Sequence, residues 1–201
     1  MIQAGLTGGF ASGKSFVSRR FEDLGCHVVR ADELGHRVLQ RDGEAYASVV
    51  ALFGPRILDA EGRIDRKRLG GEVFDSPERL EQLNTIVHPI VIRLEEEFLC
   101  RVETHDPTGI GIVEAAILVE TGSYKRFDKL ILVACTPEQQ LERAMKRGAY
   151  TRSEVLARLS RQMPVEEKRR YADYVIDTSG TEEKTVEQTN EVYRSLRSLE
   201  R

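Results

Sequence analysis

No Cys-x-x-Cys pair exists in this sequence. Its three cysteines, Cys26, Cys100 and Cys135, are far apart and odd in number, which argues against a zinc site or a disulfide framework. They are expected to be small buried apolar residues. The four histidines (His27, His36, His88 and His105) lack metal-ligand spacing. Positive charge is not in excess either. Thirty Lys and Arg against 33 Asp and Glu give a net charge of −3, so no global basic field points to nucleic acid or to an anionic membrane. No apolar run approaches the length of a membrane span. The N-terminus lacks a basic stretch followed by an apolar signal core. Internal repeats and low-complexity stretches are missing too. The expectation is a cytoplasmic globular protein with no nucleic-acid or membrane partner. With 201 residues, 40% hydrophobic and 31% charged, it is long enough for one domain with an inserted subdomain.

What the chain does have stands at its start. Gly8 to Ser15 reads Gly-Gly-Phe-Ala-Ser-Gly-Lys-Ser, matching the phosphate-binding pattern of Gly, four residues, then Gly-Lys-Ser. A short apolar strand with Ile2, Ala4 and Leu6 precedes it. A stretch with Val17, Phe21 and Leu24 on one helical face follows, and Gly25 is placed to stop that helix. In a strand–loop–helix context the loop N–H groups turn inward and cradle phosphate oxygens, and the helix N-terminus adds partial positive charge. Gly8, Gly9, Ala11, Ser12, Gly13, Lys14, Ser15 and Phe16 are therefore the expected ATP-binding residues. Lys14 would reach the β- and γ-phosphates, and the Ser15 hydroxyl would hold Mg²⁺.

Further strands are expected at His27–Arg30, Ile110–Leu118, Lys129–Cys135 and Tyr174–Asp177, five in all, alternating with helices. That order calls for a parallel sheet covered on both faces with right-handed crossovers, an α/β P-loop fold. Residues 40–105 contain no convincing strand. Ser76-Pro77 starts a helix there, and His88-Pro89 is expected to interrupt it. Two capping boxes, Thr136 to Gln139 and Thr151 to Glu154, open later helices. The second helix is expected to run to Pro164, and the closing helix to bury Val186, Val192 or Tyr193, Leu196 and Leu199.

Direction must come from residues beyond the loop. No Asn-Lys-x-Asp stretch exists to read guanine, and no Leu-Ser-Gly-Gly-Gln transporter signature is present. Asp32 follows the second strand, at the sheet edge where ligands bind. It could take the proton of an attacking hydroxyl, or simply cap a helix. Between Arg143 and Arg170 arginines are dense, and Arg143 and Arg147 share a helical face. Phosphoryl transfer needs mobile positive charge that also excludes water. Glu114 could be a carboxylate behind Mg²⁺ or half of an ion pair facing a helix.

Taken together these residues resemble the dephospho-coenzyme A kinases over nearly the whole chain. The resemblance rests on Leu6-Thr7-Gly8-Gly9 with Ser12-Gly13-Lys14-Ser15, on Ala31-Asp32 with His36, on Ile64-Asp65-Arg66 with Leu69 and Phe74, and on His88-Pro89. It continues through Glu120, Gln140, Arg143, Arg147, Arg158 and Gln162 to Ala172-Asp173 and Val175-Ile176-Asp177. It implies transfer of the ATP γ-phosphate to the ribose 3′-hydroxyl of dephospho-coenzyme A, giving coenzyme A and ADP, with Mg²⁺ as cofactor. It makes Asp32 the base, with Lys14, Arg143 and Arg147 as the other catalytic groups. Thr7, Asp32, His36, Arg66 and His88 become the substrate-binding set. It also implies three parts: a nucleotide core (1–32, 106–142 and 173–201), a helical coenzyme-A-binding domain (33–105) and a lid (143–172). The chain departs from the family pattern at Glu114 to Glu120, at Phe16, at Arg147-Gly148-Ala149 and at Thr178. A kinase for another small hydroxyl or nucleotide acceptor shares this plan. A non-catalytic ATP-binding module would need neither Asp32 nor the arginines. A monomer and a small homo-oligomer fit the sequence equally.

Overall fold

The computed structural model describes residues 1–74, 76–146, 148 and 151–199. They form two compact units, one of residues 1–29 and 99–201 and one of residues 30–98.

The first unit is built on a parallel sheet. Its strands are β1 (Ile2–Gly8), β2 (His27–Arg30), β3 (Ile110–Glu114), β4 (Lys129–Ala134) and β5 (Tyr174–Asp177). Their order is β2-β3-β1-β4-β5. The central strands are mostly apolar because both faces are covered, the usual state of parallel strands. Helix α1 (Lys14–Asp23) follows β1. Ile2, Ala4, Leu6, Ile131, Val133 and Ile176 bury one face of the sheet with Val17 and Phe21 of α1 and with Val192 and Leu196 near the C-terminus. β1 sits between β3 and β4, so its C-terminal end opens at the point where the strand order reverses, the place such sheets bind ligands.

The second unit is helical. It holds α2 (Ala31–Val38), α3 (Tyr46–Phe53), α4 (Arg66–Phe74) and most of α5 (Pro77–His105). Leu34, Val38, Val49, Phe53, Ile57, Leu69 and Val91 are its buried apolar residues. Asp65 caps α4, its Oδ1 accepting from the N–H groups of Lys67 (2.8 Å) and Arg68 (3.0 Å). Ser76 caps α5 through the Arg79 N–H.

Four expectations about local structure need correction. Pro89 does not interrupt α5, which continues through it. Pro89 and Thr85, whose carbonyl loses its helical partner, both lie on the exposed face, where that carbonyl is open to solvent. β3 stops at Glu114 rather than Leu118. After the Ala115 N–H bonds the Leu6 carbonyl, the chain turns, and Leu118 and Val119 are buried outside the ladder. Past α6 (Pro137–Lys146), α7 (Arg152–Leu159) ends before Pro164, which instead opens α8 (Val165–Arg169). The Ser160 hydroxyl bonds back to the Ala157 carbonyl and competes with the helix there. In α9 (Glu182–Arg197), Val192 and Leu196 are buried, but Leu199 lies beyond the helix and is exposed. Among the cysteines, Cys26 and Cys135 are buried as expected, whereas Cys100 is exposed. Burial pushes the Cys26 thiol up to about 12. Both capping boxes form. Thr136 pairs reciprocally with Gln139, and Thr151 with Glu154.

Candidate active site

β1 runs straight into the glycine loop. A Cβ on Gly8 would stand 2.4 Å from the Val133 carbonyl oxygen, and one on Gly9 would stand 2.2 Å from the Gln140 amide nitrogen. Only bare backbone fits so close to β4 and α6. Gly13 caps α1 in the left-handed region (φ 96), and its carbonyl accepts from the N–H groups of Phe16 (3.0 Å) and Val17 (3.2 Å). Lys14 extends back over the loop, its Nζ donating to the carbonyls of Gly8 and Gly9 at 3.0 Å each. The Ser12 hydroxyl is buried with no hydrogen-bond partner. Ser15 is exposed in the first turn of α1. The Phe16 ring is 37% exposed, and nothing in the structure explains the choice of phenylalanine there.

The loop is held from several directions. Thr178, just past β5, donates its hydroxyl to the Ser12 carbonyl (2.7 Å) and lies 3.2 Å from the Ala134 carbonyl. Arg143 of α6 binds Thr178 in turn, through the hydroxyl (3.0 Å) and the carbonyl (2.5 Å). Burial pushes the Cys135 thiol up, while nearby Arg143 and Lys14 pull it the other way. Phe10 is bonded on both sides of its peptide. Its carbonyl accepts from Gln140 (2.9 Å) and its N–H donates to Gln162 (2.7 Å).

On the β3 side, the buried Thr7 hydroxyl donates to the Ala116 carbonyl (3.2 Å). The same carbonyl accepts from Lys168 Nζ (2.7 Å), which also pairs with Glu120 (2.8 Å). Lys168 is 1% exposed, so this ammonium is almost wholly out of water. Glu120 accepts a further bond from the Met163 N–H (3.1 Å). Glu114 is buried at the end of β3, in register with Leu6 of β1.

In the helical unit, Asp32 and His36 lie four apart on α2, and both are exposed. Capping by Asp65 places Arg66 as the first residue of α4. His36 is held below its usual pKa first by burial and then by Arg66, while Asp32 and Glu33 oppose the shift. Asp32, His36 and Arg66 thus share one electrostatic neighbourhood. Asp32 is not the helix cap. Arg30 occupies that position and α2 has no side-chain cap, leaving the Asp32 carboxylate free of that duty. His88 lies half-buried on α5, and burial lowers its pKa. Arg147 falls outside the described residues.

A model of the family described as dephospho-CoA kinase matches residues 2–184. The chain belongs to the dephospho-CoA kinase family. The Aquifex aeolicus dephospho-CoA kinase is 43% identical over 98% of both chains. That of Geobacillus kaustophilus is 40% identical over 100% of this chain and 99% of its own. A crystal structure from Thermus thermophilus superposes with a TM-score of 0.84 at 36% identity, covering 96% of each chain. The dephospho-CoA kinase from Campylobacter jejuni superposes at 0.72 with 25% identity, covering 98% of this chain and 97% of its own. The chain is thus an enzyme of the last step of coenzyme A biosynthesis, with ATP and dephospho-CoA as substrates.

The glycine loop of this chain has groups that fit a Mg²⁺–triphosphate. The bare glycines let the loop lie against β4 and α6, Ser15 presents a hydroxyl, and the buried Ser12 hydroxyl has no partner among the described residues. Among the described residues no cluster of three or more His, Cys, Asp or Glu could hold a metal unaided. That suits Mg²⁺, which is held by few protein ligands plus substrate phosphates. No described helix is long and apolar enough to cross a membrane.

Three features escaped sequence reasoning. Lys168 sits in a stretch that reads only as short and charged, and its burial has no local signal. Gln140 and Gln162 entered through family resemblance, with no role attached. Thr178 was noted as a departure, yet its hydroxyl ties β5 to the loop.

Proposed function

We propose that the named residues divide the dephospho-CoA kinase reaction as follows. The backbone N–H groups of Gly8 to Ser15 hold the ATP phosphates, and Lys14 neutralises the charge that spreads over the transferring group. Ser15 would hold Mg²⁺, with Glu114 behind it; the metal supplies charge neutralisation across the β- and γ-phosphate oxygens. Asp32 accepts the proton of the ribose 3′-hydroxyl as its oxygen bonds the γ-phosphorus and the bond to the β-phosphate oxygen breaks, leaving ADP. His36, Arg66 and His88 bind the acceptor within the 33–105 domain, and Thr7 stands at the edge of the phosphate site. Arg143 and Arg147 belong to the 143–172 lid and add positive charge. Arg143 acts from its anchorage on Thr178, which places it beside the loop. Cytoplasmic residence and a monomer or small homo-oligomer belong to the same reading.

The observation that supports it most is the glycine cradle at the C-terminal end of β1, where Cβ atoms on Gly8 and Gly9 would meet β4 and α6 and Lys14 lies over the loop. The decisive assay is ADP release from ATP–Mg²⁺ with dephospho-CoA, run beside a panel of nucleoside monophosphates and small alcohols. We expect turnover with dephospho-CoA far above the panel. Equal rates across the panel would assign a broader acceptor class, and no ADP from any of them would leave only an ATP-binding module.

A further inference from the structure

We propose that Gln162 is a positioning residue that sets the phosphate-binding loop for ATP, by holding the Phe10 N–H turned out of the cradle. The proposal rests on the reading of Gly8 to Ser15 as the ATP site.

Phe10 is gripped on every side it offers. Gln140 donates to its carbonyl at 2.9 Å, and Gln162 accepts from its N–H at 2.7 Å. The Arg158 guanidinium lies 5.9 Å from the centre of its ring, within reach of a cation–π contact. The ring packs with Leu141 and Leu159 against buried Ala11, Ala144 and Val155. Gln162 and Arg158 come from one short segment at the end of α7, so that segment holds both the peptide and the ring.

The next residue shows what the grip does. Ala11 is left-handed (φ 58), the one non-glycine residue with positive φ among those described. Such a conformation persists only where the surroundings fix it. Gln140, on the Phe10 carbonyl, orients the peptide that enters Ala11, and Gln162, on the Phe10 N–H, fixes the peptide just before it, so together they set the turn into Ala11. In a loop whose ligand contacts are main-chain N–H groups, the direction of each peptide decides which N–H faces phosphate. Gln162 commits the Phe10 N–H elsewhere and leaves the cradle to the N–H groups that follow. The arginine-bearing segment and the loop are then set together, through a contact that no phosphate needs to make.

The test uses the full-length chain. Gln162→Leu keeps the volume of the side chain and removes the acceptor. Loss of a hydrogen bond that leaves its donor unpaired corresponds to about a tenfold effect. We expect the KM and Kd for ATP–Mg²⁺ to rise by about that factor, with the KM for dephospho-CoA unchanged and the Tm lowered only by the few degrees that one lost hydrogen bond costs. Amide exchange of the peptide containing Phe10 should quicken. Ala11→Gly, which removes the left-handed penalty, should restore most of the ATP affinity when added to Gln162→Leu. A merely structural glutamine would not be rescued that way. ATP affinity within twofold of wild type in Gln162→Leu overturns the proposal. So does a parallel rise in both KM values, or no recovery on adding Ala11→Gly. Lys14→Ala separates this from the underlying reading. If wild type binds ATP and Lys14→Ala does not, the ATP site stands whatever Gln162 does. If Lys14→Ala binds ATP as wild type does, the site itself is misassigned.

Discussion

Around Gly8 to Ser15 the polar side chains are committed to the backbone. Lys14 bonds two carbonyls, Gln140 and Gln162 bond the two sides of Phe10, and Arg143 holds Thr178, which holds Ser12. In the helical unit Asp32, His36 and Arg66 are exposed and influence one another through charge, and Asp32 caps no helix. Under the proposed division of the reaction, the two regions face different tasks. A triphosphate is recognised by backbone dipoles, which act only when their direction is fixed beforehand. An acceptor hydroxyl is recognised by side chains that close on it, and those gain from standing free until it arrives. The donor region should therefore lose stability and activity together when altered, whereas the acceptor region should lose activity alone.

Asp32→Ala offers the largest effect. If Asp32 is the base, turnover should fall by roughly 10²- to 10⁴-fold. As an exposed residue with no cap to lose, it should shift stability by no more than about 0.5 kcal/mol. Single-turnover rates, ATP affinity and thermal melts on the same preparation decide it. A turnover near wild type removes Asp32 as base. A matching loss of Tm would break the contrast between the regions.

Lys168→Met comes next and acts through stability. It leaves Glu120, which water reaches, without its cation and removes the charged donor that the buried Lys168 gives to the Ala116 carbonyl. Losing such charge-assisted hydrogen bonds costs about 3 kcal/mol. In a chain of this size that lowers Tm by roughly 6–12 °C. Thr7 shares the Ala116 carbonyl, so activity should fall as well. Chemical denaturation of Lys168→Met and of the double variant with Glu120→Leu measures it. The double variant should be no less stable than Glu120→Leu alone, which leaves the buried Lys168 ammonium without its carboxylate. A Lys168→Met chain as stable as wild type would show that the pair contributes nothing.

Much of this was legible in the sequence, for physical reasons. The glycine loop, its flanking strand and helix, and the five strands follow from local pattern: apolar runs, stop signals and capping boxes. Residues such as Asp65 and Ser76 act within three positions of themselves, so sequence spacing shows them. Gln162 bonds a residue 152 positions away and Thr178 one 166 positions away. No local pattern encodes such pairs, and only the assembled sheet brings them together. The end of β3 fails differently. An apolar run says that residues are buried, and Leu118 and Val119 are, but it does not say that they stay in the ladder.

Thr178→Val probes the donor region with a smaller change. It removes the hydroxyl bonded to Ser12 and to Arg143 while keeping the shape of the side chain. A buried acceptor left unpaired costs about 1–3 kcal/mol, so Tm should fall by roughly 2–10 °C and ATP KM should rise. Thr178→Ser keeps the hydroxyl and should stay close to wild type in both. A valine variant close to wild type beside a weakened serine variant would assign the site to the methyl group that lies beside Gly13 and overturn the case for a hydrogen-bonded loop.

The smallest effect belongs to His88, the acceptor-side residue that does not stand free. Burial lowers its pKa below the usual 6.5. In the unfolded chain the imidazole takes a proton near that usual value, whereas the folded chain resists until lower pH. Between the two values the unfolded state binds more protons, so stability rises with pH across that window and is lost as pH falls through it. Below the folded value both states are protonated and the slope vanishes. His88→Gln should flatten this part of the profile, read from melts taken between roughly pH 5 and pH 7.5. His36 is lowered for the same first reason but is exposed and sits beside Asp32, so His36→Gln should flatten the profile less. If the two variants flatten it equally, burial is not what separates them, and His88 belongs with the free residues of the acceptor side.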